Sequence, residues 1–195
     1  METWEIKGHT LEYIDETHTY LVDGVIKPSI TQILKVKFGN KYDSVDKDVL
    51  QRASELGTAT HKAIEDYCKK GIVTDLKELK NFIFLKNTFK FEVLDNEIPI
   101  ILFVENEPVA CGRLDLVLFD KDVFCLGDIK RTYTLDKEYL AYQLNLYRIG
   151  FQQCYGIKIK GLKGLHLRED VRKYIELPIN EEMAIDLLNE YLKGK

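Results

Sequence analysis

Apolar positions along this chain repeat with two periods, near two and near 3.6 residues, and the switches between them mark where strands give way to helices. Leu11 to Val22 reads as strand, and Asp23-Gly24 turns it back into Val25-Ile26-Lys27. After Pro28, Ser29-Ile30-Thr31-Gln32 has capping-box spacing and opens a short helix through about Val36. Phe38 to Ser44 is expected to be a loop. A long helical repeat runs from about Asp46 to Lys70 and stops at Gly71, and a shorter one covers Asp75 to Phe84. Phe89 to Val104 reads as two extended stretches around Asp95-Asn96 and Pro99. Two apolar strands follow, Gly112 to Phe119 and Val123 to Lys130, then a helix from about Asp136 to Cys154. Gly161 to Leu167 and Val171 to Leu177 predict a hairpin, and Asn180 caps a final helix, Glu181 to Lys193. This mixed order predicts an α/β or α+β fold, with one central sheet flanked by helices.

The central strand pair carries the most informative chemistry. Asp128 and Lys130 are two residues apart on a strand and must share a face. If Lys121 and Asp122 form a two-residue loop, Asp120 pairs with Val123, and Asp115 falls opposite Asp128. Opposed residues have Cβ atoms roughly 4.5–5.5 Å apart, so two like charges there repel unless something neutralises them. A hard divalent cation would do so. Taken singly, either acid could be a strand-end residue reaching solvent.

Composition narrows the setting. A chain of 195 residues with 45% apolar positions is long enough for one domain with a sizeable core. There is no apolar run of membrane-spanning length and no basic-then-apolar start of a secretory signal, so a cytoplasmic setting is expected. Cys68, Cys111, Cys125 and Cys154 form no C-x-x-C pair, which argues against a zinc ribbon, and Cys111 and Cys125 are expected to be buried thiols. The formal net charge is −4, yet Lys121 to Lys173 holds 11 Lys/Arg against 6 Asp/Glu. Such a stretch could follow phosphates, or could be a solvated surface.

Two helices add candidates. On the long helix, Ala53, Leu56, Thr60, Ala63 and Tyr67 make the predicted buried stripe, with His61 at its edge and Glu65 one turn further on. Gly57 costs on the order of 1 kcal/mol inside a helix and would let another chain element or a nucleic-acid backbone come close. On the helix after Lys130, Gln143 and Tyr147 share a face amid apolar neighbours on both flanks, so Gln143 is expected to be buried and in need of partners. His61 and Gln143, taken alone, also read as structural residues.

In this order, Gly57-x-x-x-His61-x-x-x-Glu65, Gly112-Arg113-Leu114-Asp115, Asp128-Ile129-Lys130 and Gln143-x-x-x-Tyr147 resemble the RecB-type branch of the PD-(D/E)XK nucleases. The resemblance covers roughly Asp48 to Tyr147, and Lys27 to Leu34 is similar to the opening of small stand-alone phage and prophage members. It implies a restriction-endonuclease-like core over about 46–155, with an N-terminal hairpin and a C-terminal hairpin and helix added, all in one domain of residues 1–195. It implies a metal held by His61, Asp115, Asp128 and the main-chain carbonyl of Ile129, with Lys130 as the catalytic lysine. Gln143 and Tyr147 would support the site or contact DNA, and Glu97 matches a glutamate found before the first strand in many relatives. Arg131 stands where many relatives have Thr, and could add a phosphate contact. The clustered cysteines of the iron–sulfur branch are missing, so no such cluster is expected.

The implied activity is hydrolysis of DNA phosphodiesters with Mg²⁺, or Mn²⁺ as substitute, most simply by an exonuclease acting on linear DNA in phage recombination or DNA processing, with a phage recombination protein as a conceivable partner. Two other readings stay open. One is an idle nuclease scaffold that binds DNA or a protein. The other is a hydrolase of small phosphoesters.

Overall fold

The computed structural model of the chain describes residues 1–39 and 46–194. Its N-terminal part is a four-stranded antiparallel sheet in chain order, β1 (Glu2–Ile6), β2 (His9–Ile14), β3 (Thr19–Val22) and β4 (Val25–Lys27). The single strand expected over Leu11 to Val22 is therefore two strands. A 3-10 turn at Asp15–Thr17 and a left-handed His18 (φ 49°) reverse the chain. The reversal pairs Tyr13 with Tyr20, whose rings lie 4.7 Å apart. Apolar alternation continues through the turn, so a hairpin and one long strand share the same pattern.

Pro28 and the capping box then start α1 (Ile30–Phe38): Ser29 Oγ accepts from the Gln32 N–H, and Gln32 Oε1 accepts from the Ser29 N–H. Phe38 belongs to this helix, and residues 40–44 of the expected loop lie outside the described residues. Asp46 caps α2 (Lys47–Lys70), which ends on a left-handed Gly71. The buried positions of α2 are Thr60 and Ile64, while Ala53 and Leu56 are exposed. The helix is amphipathic as expected, but only its C-terminal half meets the core. The helix expected over Asp75 to Phe84 is α3 (Lys77–Phe89), since no helix breaker intervenes before Lys90 turns left-handed.

The central sheet has the order β5 (Glu92–Val104), β6 (Glu107–Asp120), β7 (Val123–Lys130), β8 (Gly161–Leu167) and β9 (Arg172–Leu177). Only β7 and β8 run parallel, joined across α4 (Lys137–Tyr155). The class is α+β. The two stretches expected between Phe89 and Val104 are one strand, bulged between Val93 and Asp95. Pro99 is tolerated because β5 is an edge strand: its carbonyl accepts from Tyr155 Oη at 2.7 Å, so its backbone faces away from β6 where no N–H is needed.

One face of the sheet packs Ile33, Leu144 and Leu187, from α1, α4 and the final helix α5 (Glu181–Lys193), over Ile100, Leu126 and Leu162. The other face packs Ile64, Phe82 and Leu85 of α2 and α3 over Leu116, Leu118 and Ile129. Cys111 and Cys125 are buried, as expected. Among the described residues, no helix is long and apolar enough to cross a membrane.

Candidate metal centre

The β6–β7 hairpin closes as its sequence predicts. Asp120 pairs with Val123 across Lys121 and Asp122, whose φ angles of 49° and 63° suit a tight two-residue turn. The ladder runs to Leu116 opposite Gly127, which brings Asp115 and Asp128 level at its end. There the Ile129 N–H donates to Asp115 Oδ2 at 2.6 Å. Asp128 Oδ2 lies 2.7 Å from Lys130 Nζ.

His61 reaches this end from α2. Its Nδ1 lies 3.5 Å from Glu97 Oε1 and 3.6 Å from Asp115 Oδ1. Its Nε2 lies 3.2 Å from the Ile129 carbonyl oxygen. Ligand atoms of His61, Glu97 and Asp115 all fall within 4.8 Å of one another. Glu97 gets there through its backbone: next to the bulge in β5 it adopts φ 56°, a left-handed conformation uncommon for a residue with a side chain. Arg113 then fixes it, with Nε 2.7 Å from Glu97 Oε2, NH1 3.0 Å from Glu2 Oε1 and its guanidinium over the Tyr13 ring. The N-terminal sheet thus braces the centre through Arg113.

Crowded charge shifts the ionisation of these groups. Burial pushes the Asp115 carboxyl up, and repulsion from Asp128 and Glu97 adds to this, against the pull of His61 and Lys130. Burial alone would lower His61, but Asp115, Glu97 and Asp128 outweigh it and raise the imidazole to about 9. Asp128 and Asp115 likewise outweigh burial at Lys130 and keep it an ammonium. A proton on His61 thus adds to the positive charge that Lys130 and Arg113 already bring to these carboxylates.

The donor set suits a hard divalent ion. Two carboxylates and one imidazole converge, with a main-chain carbonyl on the far side of the ring. Asp128 is not one of the three converging groups, and its Oδ2 lies beside Lys130. Glu97, carried only as a supporting residue on sequence grounds, is one of them. No regular strand register would place it there. The nearest signal was Asp95-Asn96, residues that favour an irregular backbone.

Other expected site residues fall elsewhere. Glu65 stays on the surface of α2, 3.2 Å from Lys62 and 3.0 Å from Lys69. Arg131 turns to the face opposite Lys130 and places its Nε 2.7 Å from the buried Glu78 of α3. Strand alternation carried that signal, since Arg131 follows Lys130 directly. Gln143 is buried, and its Oε1 has no hydrogen-bond partner among the described residues. Tyr147 packs on Gly112: a Cβ there would lie 2.7 Å from Tyr147 Oη, so the two motifs fit only with glycine. At Gly57 nothing lies within 4 Å of an added Cβ, so among the described residues no element uses the close approach it allows.

No family model matches the chain, and no curated protein does. Among solved structures, the one described as "Crystal structure of SSO0001" is similar, with 16% identity, a TM-score of 0.44, and coverage of 87% of this chain and 76% of that one. A likeness of that size carries no functional implication.

Proposed function

We propose that this chain is a metal-dependent deoxyribonuclease with a restriction-endonuclease-like core of the PD-(D/E)XK kind, in its RecB-type branch. The observation that carries the reading is the convergence of His61, Glu97 and Asp115 beside the Asp128–Lys130 pair and the Ile129 carbonyl. These groups come from α2, β5, β6 and β7, far apart in sequence, and they meet at one end of the sheet.

His61, Glu97 and Asp115 would hold Mg²⁺ or Mn²⁺, with Asp128 as the next oxygen donor, and the Ile129 carbonyl against His61 Nε2 would orient the ring. When bound, the ion supplies positive charge to a phosphoryl oxygen and makes water more acidic. Lys130 remains an ammonium, aimed by Asp128, so it donates hydrogen bonds and does not act as a base. It would orient the attacking water and offset negative charge growing on the phosphate. Arg113 keeps Glu97 in place, and Tyr147 on Gly112 fixes α4 against the site. By the same resemblance the enzyme would be an exonuclease on linear DNA, working in the cytoplasm in phage or prophage recombination.

The test is a gel assay on end-labelled linear duplex, single-stranded DNA and closed circular DNA, with Mg²⁺, Mn²⁺ or EDTA. Metal-dependent loss of the linear substrates alone, absent in Lys130→Ala, is expected. Nicking of the circle would make it an endonuclease. No cleavage of any substrate with either metal would overturn the reading in favour of an idle binding module.

A further inference from the structure

A groove of about 770 Å³ lies between α3, β9 and the segment that leaves β7. Phe84, Phe89, Tyr133, Lys137, Arg172 and Lys173 are among its lining residues, and no lining residue is a carboxylate. Arg172 stacks over Phe84 with its guanidinium 3.7 Å from the ring centroid. Arg168 covers Tyr133 in the same way at 4.9 Å. Yet Tyr133 is 86% exposed, so one face of its ring is open. Among the described residues, Lys137, Arg168, Arg172 and Lys173 are in no ion pair with a carboxylate. These four account for much of the basic excess between Lys121 and Lys173.

The floor of the groove has polar capacity to spare. His166 is 4% exposed and lines it. Its Nε2 donates to the Thr132 carbonyl at 2.7 Å, while its Nδ1 and the nearby Thr132 Oγ1 are buried with no partner. Buried polar atoms of this kind normally find a partner, so this end of β8 has hydrogen-bonding capacity unused. The groove also adjoins the metal centre: His166 on β8 is the register partner of Lys130 on β7, about 4.8 Å away across the sheet.

We propose that this groove binds a single-stranded segment of the nucleic acid whose scissile phosphate lies at Lys130, an inference that rests on the nuclease reading above. The cations follow the phosphates, and the open face of Tyr133 stacks on a base. A base inside a duplex has both faces covered by its neighbours, so exposed aromatic faces select an unpaired strand.

The test is fluorescence anisotropy of a dye-labelled oligothymidylate and of a blunt duplex, in EDTA, with Lys130→Ala as the background so that nothing is cut. In that background, Tyr133→Ala should weaken single-strand binding roughly tenfold, while Tyr133→Phe, which keeps the ring, should bind as the parent does. Arg168→Gln with Arg172→Gln should weaken it further and flatten its salt dependence. Tyr133 is exposed, so melting temperatures should be unchanged. Unaltered single-strand binding by the Tyr133→Ala and Arg variants, in a protein whose parent cuts DNA, would overturn the groove and leave the nuclease standing. A loss confined to the duplex would overturn the choice of an unpaired strand. Failure of the unmodified protein both to cut and to bind any nucleic acid would overturn the nuclease reading and the groove with it.

Discussion

Two Lys–Asp pairs lie at opposite ends of the same three strands, and they behave differently. At one end, Lys163 of β8 sits 3.1 Å from Asp120 of β6, and Tyr174 Oη donates to the same carboxylate at 3.0 Å. Both charged side chains are buried, and each is partnered by groups that cannot leave. At the other end, Lys130 is held by Asp128 at 2.7 Å, and Glu97, Asp115 and His61 crowd beside it. There a proton on His61 adds to the charge of Lys130 and Arg113, and on the proposed reading a cation would displace it. A closed pair of fixed charges serves the fold. Carboxylates gathered around an exchangeable proton would, on the proposed reading, take a metal ion.

Substitutions should separate the two ends. The largest effect is expected for Lys130→Ala, which should reduce cleavage by at least about a hundredfold while a Mg²⁺- or Mn²⁺-induced rise in melting temperature persists. Asp115→Ala should lose both, so equal metal shifts in Asp115→Ala and the parent would place the metal elsewhere. Lys163→Ala should do the converse. It leaves Asp120 buried with an uncompensated charge and should cost about 3–5 kcal/mol in urea denaturation, with the metal-induced shift intact. A cost near zero would mean that the closed pair is not what holds that end.

The proton on His61 gives a pH signature. Its folded value of about 9 lies above the ordinary value near 6.5, so in the metal-free protein its stabilising contribution is full below about 6.5 and is lost as pH rises through 9. Metal must displace that proton, so affinity should increase with pH below 9, up to about tenfold per unit, in calorimetric titrations. His61→Gln should flatten that slope. The smallest effect is expected for Glu65→Gln. Its pairs with Lys62 and Lys69 are on the helix surface, so stability should change by no more than about 0.5 kcal/mol, and metal binding not at all.

Local patterns carried much of this structure in advance. The two-residue turn at Lys121-Asp122 set the register that brings Asp115 level with Asp128, because side-chain period and turn length leave no freedom. The capping box at Ser29 and the cap at Asn180 started their helices where the side chains offered acceptors. Reading failed where neighbours decided. Ala53 and Leu56 lie on the face of α2 expected to be buried, but among the described residues no layer covers that half of the helix. Glu65 has the spacing to accompany His61, but lysines three residues before it and four after it hold it on the surface.

By itself, the sequence determined the strand pair, its turn and the shared face of Asp128 and Lys130, since these follow from a period of two and a loop of two. It also determined most helix ends, through caps and left-handed glycines. Only the tertiary structure decided that Glu97 converges with His61 and Asp115, because that depends on a left-handed residue in a bulged strand and on Arg113 clamping it. It alone decided that Arg131 turns to Glu78 while Arg168 and Arg172 reach aromatic rings beside an acid-free groove. A side chain's partner is chosen by whichever opposite charge or ring the packed layers bring within reach, and spacing along the chain does not encode that distance.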